Sequence, residues 1–190
     1  MIQALANSIA GFVVKNDDTA DFEIMAYGYG LIVSAIVTYT AIIISALFFG
    51  VFREMLVAIA TYITMRATIG GVHANSRAAC FITYAGALYL SIYLSFVLTF
   101  SEIATAALYL FNMALLILYA PSDTAEQPIV RRRPARKILG IVFLSLFFSI
   151  SIFWDRMWIE TNILLLVSTI TCVFLHPAIY RLFGCKKSIY

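Results

Sequence analysis

Six apolar segments, separated by short polar segments, run along the 190 residues of the chain. They cover residues 29–52, 55–65, 80–100, 103–120, 138–154 and 162–180. An α-helix of about 20 apolar residues crosses the ~30 Å hydrocarbon core of a bilayer. The pattern therefore predicts an all-α membrane protein with about six transmembrane helices.

The second apolar segment is short for a membrane crossing. From Arg53 to Arg66 it offers about 14 residues, and a helix of that length reaches only about 21 Å. Either this helix crosses a thinned part of the bilayer, or its last turn and the glycines that follow lie below the membrane surface.

Residues 2–14 have the spacing of an amphipathic helix. Apolar side chains fall on one face (Ile2, Leu5, Ile9, Phe12, Val13) and polar side chains on the other (Gln3, Asn7, Ser8). Such helices lie in the plane of the bilayer surface. We expect residues 1–28 to form an interfacial, cytoplasmic segment, with Asp17 or Asp18 capping a second helix. Because no basic residue precedes the apolar positions, we expect no cleaved signal peptide.

Composition supports the membrane assignment. Hydrophobic residues make up 63% of the chain and charged residues 12%, whereas soluble proteins have about half and a quarter. We expect one integral-membrane domain over residues 1–190. The net charge of +3 comes from clustered basic loops, so we expect no nucleic-acid partner.

The basic residues predict the orientation. Six crossings place both termini on one side, and of the 13 Lys and Arg residues only Arg53 and Arg156 fall on the other. Cytoplasmic loops carry the excess of Lys and Arg in membrane proteins. Both termini and the loops over residues 66–80 and 121–137 are therefore predicted to be cytoplasmic, in the plasma membrane.

The loop over residues 66–80 holds the best candidate for catalysis, His73 with Cys80. A thiol nucleophile needs a base, and imidazole suits that task near neutral pH. Seven residues of straight helix would separate the two by roughly 10 Å, so a catalytic pair requires the chain to bend between them. Gly70 and Gly71 permit a close turn. The alternative is a polar loop whose free cysteine packs as a small hydrophobe.

A helix start near Cys80 would favour its thiolate. Asn75 or Ser76 is a suitable N-cap, which places Cys80 near the first turn, and Arg77 adds a nearby cation. Three cysteines, an odd number, do not suggest a disulfide framework. Cytoplasmic thiols also stay reduced.

Other residues are candidates for supporting roles. Arg66 is expected to bind a substrate carboxylate, to brace the loop or to mark the interface. Gly70 and Gly71 are candidates for an oxyanion site or for a simple turn.

The second cytoplasmic loop adds charged candidates. Its basic cluster includes Arg131, Arg132 and Arg133, which fit either an acidic precursor tail or a positive-inside anchor. Asp123 or Glu23 is a candidate to orient His73, although Asp123 also suits a turn.

A rival pair, Cys172 and His176, lies at i, i+4 in the last apolar segment. The two can touch without a bend, but no glycine turn or helix start accompanies the thiol, so helix packing is the favoured role. No metal-binding pattern occurs, and neither metal nor cofactor is expected.

Three segments resemble, in family order, the accessory gene regulator protein B (AgrB) peptidases of Gram-positive quorum sensing. They are Arg66 with Gly-Gly-Val-His at 70–73 and Cys-Phe at 80–81; Glu23 with Tyr-Gly at 27–28; and Tyr-Ala-Pro-Ser-Asp-Thr at 119–124 with Pro128. The similarity covers most of the chain.

The resemblance implies a cysteine membrane endopeptidase with His73 and Cys80 as its catalytic pair. Its substrate would be an AgrD-type precursor, whose C-terminal tail is removed through an acyl-enzyme thioester. An internal Cys or Ser of the precursor then closes a thiolactone or lactone ring. Together with membrane packing, the resemblance also leads us to expect a homodimer.

The alternative function is a small non-enzymatic membrane protein that transports or binds a peptide or lipid. Transporters more often carry ionisable residues inside their spans, and this chain has almost none there, which favours the enzyme.

Overall fold

A computed structural model describes residues 2–16, 21–72, 76–123, 132–154 and 158–185 of the protein. Within these ranges the chain forms eight α-helices. They are α1 (Ile2–Asn16), α2 (Phe22–Phe48), α3 (Phe52–Ile69), α4 (Arg77–Val97), α5 (Glu102–Tyr119), α6 (Arg133–Phe153), α7 (Trp158–Val173) and α8 (Pro177–Leu182). The predicted all-α class is confirmed.

Four of these helices are long and apolar enough to cross a membrane. They are α2, α5, α6 and residues Ala78–Val97 of α4. Helix α7 is apolar but shorter. Helix α3 is less apolar and, at 18 residues, longer than the 14 residues expected for the second segment. The chain is thus a helical membrane protein. The count of six crossings and the orientation of the termini stay predictions.

The chain divides into two compact units, Met1–Gly50 and Val51–Tyr190. In the first unit α1 packs on α2 through the buried Ala6 and Ala10, while Leu5 and Phe12 stay exposed. Asp21 caps α2, because its carboxylate accepts hydrogen bonds from the backbone N–H groups of Glu23 and Ile24. The predicted caps Asp17 and Asp18 lie outside the described residues. A single domain also stays a prediction.

The second unit is built around α3 and α7. Helix α7 contacts α3, α4, α5 and α6, and α3 contacts α6 and α4 as well. Met65, Leu116, Leu144 and Cys172 are buried in their shared core. Gly140 lets α6 approach α3 closely, because a Cβ atom there would overlap the Cγ2 atom of Ile69. The core thus depends on one small residue in α6.

The last apolar segment is not one helix, and the prediction of a continuous span over residues 162–180 was wrong. Helix α7 ends at Val173 and α8 begins at Pro177. Proline has no backbone N–H and cannot continue the helical hydrogen bonds. His176 instead caps α8, where its Nδ1 atom accepts a hydrogen bond from Ala178 N at 3.2 Å. Cys172 and His176 therefore do not share a helix face.

The connections of the second unit collect at two opposite ends. At one, which we call the loop end, the α3–α4, α5–α6 and α7–α8 connections meet through Gly71, Ser122, Val72 and Phe174. At the far end, Arg53 pairs with Glu160 at 2.8 Å, and Asn162 donates a hydrogen bond to Leu98 O at 2.7 Å.

Charge separates these two ends. Among the described residues, the charged positions at the loop end are Arg66, Arg77, Asp123, Arg132, Arg133, Arg136, Lys137 and Arg181, and those at the far end are Arg53, Glu54, Glu102 and Glu160. Cations therefore concentrate where the predicted cytoplasmic loops meet.

Candidate functional site

Helix α3 ends in a glycine turn. Gly70 donates its backbone N–H to Arg66 O at 3.0 Å and has a φ of 74°, while Gly71 has a φ of 128°. Residues with a Cβ atom rarely adopt such angles. The chain therefore turns at Gly70 and Gly71, where the sequence predicted a close turn, and the bend between His73 and Cys80 stays a prediction.

Two other connections hold this glycine turn by backbone hydrogen bonds. Gly71 N donates to Ser122 O at 2.6 Å, and Ser122 N donates to Ile69 O at 3.0 Å, forming an isolated parallel bridge. Val72 N donates to Phe174 O at 3.3 Å. The residues just ahead of position 73 are thus fixed by the α5–α6 and α7–α8 connections.

Arg66 reaches around the same turn from α3. Its Nη1 atom donates to Gly70 O at 3.2 Å, and its Nη2 atom donates to Val72 O. Nη2 also lies 3.2 Å from the Tyr84 hydroxyl, and the guanidinium carbon lies 5.7 Å from the centre of the Tyr84 ring. Arg66 therefore ties the glycine turn to α4.

Cys80 lies in the first turns of α4, close to where the sequence placed it. Ser76 caps the helix, since its hydroxyl accepts a hydrogen bond from Ala79 N at 3.1 Å. Cys80 N donates to Ser76 O at 2.9 Å, and its thiol is free and partly exposed. His73 and Asn75 lie outside the described residues, so the pairing of His73 with Cys80 stays a prediction.

The glycine amides are already occupied. Gly70 N–H and Gly71 N–H donate to Arg66 O and Ser122 O, respectively. For either to hold an oxyanion, one of these hydrogen bonds would have to break. The turn geometry accounts for both glycines without that role.

Asp123 is buried at the loop end, with its side chain only 1% exposed. Its carboxylate lies 3.6 Å from Arg133 Nη1, and Arg133 Nη2 donates to Pro121 O at 3.2 Å. These contacts dock the α5–α6 connection onto the start of α6. Arg132 is exposed at that helix start, and Arg131 lies outside the described residues.

Tyr180 of α8 joins this cluster from the other side of the chain. It is buried, and its hydroxyl faces Ser122 and the charges of Arg66 and Asp123. Burial raises the pKa of Tyr180 above its ordinary value, so the phenol remains protonated at neutral pH.

Sequence reasoning missed four members of this cluster. Tyr84 stands four residues after Cys80, a spacing that places both on one helix face. That spacing is the signal by which Tyr84 could have been predicted. Tyr180 follows the proline that starts α8. Ser122 and Phe174 contribute backbone atoms, which leave no signal in side-chain type.

Glu23, the other candidate to orient His73, belongs to the first unit and lies in the first turn of α2.

Among the described residues, no group of three or more His, Cys, Asp or Glu side chains comes together. Cys172, the rival thiol, is buried in the core of the second unit.

Comparison with known proteins identifies the family of the chain. The family model for Accessory gene regulator B matches residues 6–178. A putative AgrB-like protein of Clostridium acetobutylicum is 26% identical over 145 residues, covering 75% of this chain and 69% of the relative. Accessory gene regulator protein B of Staphylococcus epidermidis is 27% identical over 146 residues, covering 76% and 75%. No solved structure matches. The chain therefore belongs to the accessory gene regulator B family and has a role in that quorum-sensing system.

Proposed function

We propose that the chain is a cysteine membrane endopeptidase that removes the C-terminal tail of an AgrD-type propeptide. Cys80 is the nucleophile and His73 its base. The observation that carries this proposal is the position of Cys80. Cys80 is partly exposed and lies at the start of a Ser76-capped helix. That helix follows a glycine turn that two other connections and Arg66 hold in place. Helix starts favour a thiolate because their N–H groups and dipole attract negative charge.

The reaction proceeds in two steps. Cys80 attacks the scissile carbonyl while His73 takes the thiol proton, and His73 then returns that proton to the departing amine of the tail. The remaining precursor is held as a thioester. An internal thiol or hydroxyl of the precursor attacks this thioester, releases Cys80 and closes a thiolactone or lactone ring. Water must be kept from the thioester, because hydrolysis would give a linear peptide.

Arg132 is the best candidate among the described basic residues to bind an acidic precursor tail. It is exposed at the start of α6. Arg133 is engaged with Asp123 and Pro121, and Lys137 donates to Ile117 O at 2.6 Å. We therefore assign Arg133 a structural role, and Asp123 with it. The concentration of cations supports a cytoplasmic loop end.

The test is co-expression with a candidate precursor, followed by mass spectrometry of the peptide. Cys80→Ala and His73→Ala should abolish tail cleavage. Cys172→Ala is the matched control, since it removes a thiol buried in the core and should leave cleavage intact. Normal cleavage by Cys80→Ala would overturn the peptidase and favour the alternative, a non-enzymatic membrane protein that transports or binds the peptide. A homodimer remains a separate prediction.

A further inference from the structure

The hydroxyl of Tyr84 lies within hydrogen-bonding reach of two functional candidates. Arg66 Nη2 is 3.2 Å from it. Cys80 lies four residues earlier on the same face of α4, which brings its thiol within reach of the hydroxyl as well. Tyr84 is half-buried in α4. Its ring centre lies 5.2 Å from that of Tyr62 and 5.7 Å from the Arg66 guanidinium carbon. These ring contacts hold the hydroxyl in position.

The hydrogen-bonding capacity of each group fixes the direction of these bonds. A guanidinium group only donates, so the Tyr84 oxygen must accept from Arg66. The proton of Tyr84 is then directed to another acceptor. The Cys80 sulfur is in reach as that acceptor. A thiolate accepts strongly because it carries a charge.

Resting on the proposed role of Cys80, we propose that Tyr84 is a further catalytic residue whose hydroxyl, oriented by Arg66, donates a hydrogen bond to the Cys80 sulfur and stabilises the thiolate. Arg66 is then a positioning residue that acts through Tyr84. The phenol keeps its own proton throughout, and the proton of the thiol still passes to His73. The adjacent guanidinium charge makes the phenol a stronger donor.

Titratable groups face this pair from three helices. Helix α3 contributes Arg66 and Tyr62, and α4 contributes Cys80 itself. Tyr180 of α8 faces Arg66. Tyr84→Phe leaves each of these groups in place, so a change in Cys80 reactivity in that variant reports on the loss of the Tyr84 hydroxyl.

The experiment measures alkylation of Cys80 by iodoacetamide from about pH 6 to pH 10. Full-length protein in detergent micelles is used, and mass spectrometry quantifies the peptide that contains Cys80. Tyr84→Phe removes only the hydroxyl and keeps the ring contacts. Tyr93→Phe is the matched control, because Tyr93 lies on the same helix and is 66% exposed. Thermal unfolding of each variant confirms that it is folded.

Tyr84→Phe should slow alkylation about three- to tenfold near pH 7, because the net contribution of one hydrogen bond corresponds to a change of that order. The rate should rise at a higher pH than in the wild type and converge with it near pH 10, where the thiolate forms without help. Tyr93→Phe should follow the wild type. An unchanged profile, or an equal loss at every pH, would overturn the proposal, since the second result indicates altered access alone.

A second variant tests the proposal if Tyr84→Phe does not fold. Arg66→Lys retains the charge but loses the guanidinium fork, so it should shift the profile in the same direction by less; no shift would contradict the positioning role. Alkylation requires no precursor. A shift in Tyr84→Phe together with normal cleavage by Cys80→Ala would therefore refute the peptidase while the hydrogen bond stands.

Discussion

The backbone of Gly71 packs directly against the guanidinium group of Arg66. A Cβ atom at position 71 would overlap Arg66 Nη1 and would lie 3.6 Å from Phe174 O. Gly71 also has a φ of 128°, which L side chains rarely adopt. The glycine is thus required both for its conformation and for the space it leaves to Arg66.

Gly71→Ala should therefore displace Arg66 from Gly70 O, Val72 O and Tyr84. We expect tail cleavage to fall more than tenfold and the folded state to lose about 2–4 kcal/mol from strain and overlap together. Cleavage of the co-expressed precursor and thermal unfolding in detergent measure the two effects. Gly86→Ala is the control, because a Cβ atom there meets nothing within 4 Å. Wild-type behaviour of Gly71→Ala would refute this packing.

Gly140→Ala should destabilise the protein by about 1–3 kcal/mol through overpacking between α6 and α3. The added Cβ atom would overlap Ile69 Cγ2 and approach Leu116. For a chain of this size the midpoint of thermal unfolding should fall by several degrees. Ile69→Leu removes the branching methyl, so the double variant should recover part of the loss. Equal midpoints in Gly140→Ala and the wild type would count against the close approach.

Arg133→Gln should lower stability because it leaves the buried Asp123 carboxylate without its guanidinium partner. Breaking a buried pair costs about 3–5 kcal/mol; the pair here is separated by 3.6 Å and Arg133 is partly exposed, so we expect about 1–3 kcal/mol. Asp123→Asn in the Arg133→Gln background should restore part of the lost stability, since no buried charge then remains to be compensated. Arg132→Gln is the exposed control. Strictly additive losses in the double variant would show that the two do not interact.

Ser76→Ala should cost about 1 kcal/mol, the usual contribution of a serine N-cap. It should also slow alkylation of Cys80 near neutral pH, because a frayed helix start presents fewer aligned N–H groups to the thiolate. Ser101→Ala is a matched control: Ser101 caps α5 by accepting from Ala104 N at 3.3 Å. It should lose similar stability and leave Cys80 reactivity unchanged. If both variants slowed alkylation of Cys80 equally, the Ser76 cap could not be the cause.

The sequence was sufficient for most of the helices and for the helix start near Cys80. Apolar periodicity located a helix in every predicted segment, and the glycine turn and the Ser76 cap follow from conformational preferences of single residues. The break between α7 and α8 was missed because the apolar composition continues through Pro177, although proline is itself a stop signal.

The tertiary contacts of the site were harder to predict from the sequence. Arg66 allowed three roles, and only its distances to Gly70 O, Val72 O and Tyr84 show that it braces the turn. The joining of Gly71 to Ser122 depends on how α5 and α6 pack against α3. Side-chain patterns along one chain carry no record of such backbone pairing.

The bridge between the glycine turn and the α5–α6 connection consists of main-chain atoms alone, and this affects how mutational scans should be read. Alanine at position 122 would remove a hydroxyl but keep both backbone groups of the bridge. These are the N–H that donates to Ile69 O and the carbonyl that accepts from Gly71 N. Proline is the substitution that deletes this donor. A scan limited to alanine would therefore leave this bridge intact, whereas a proline scan would show how much the fold depends on it.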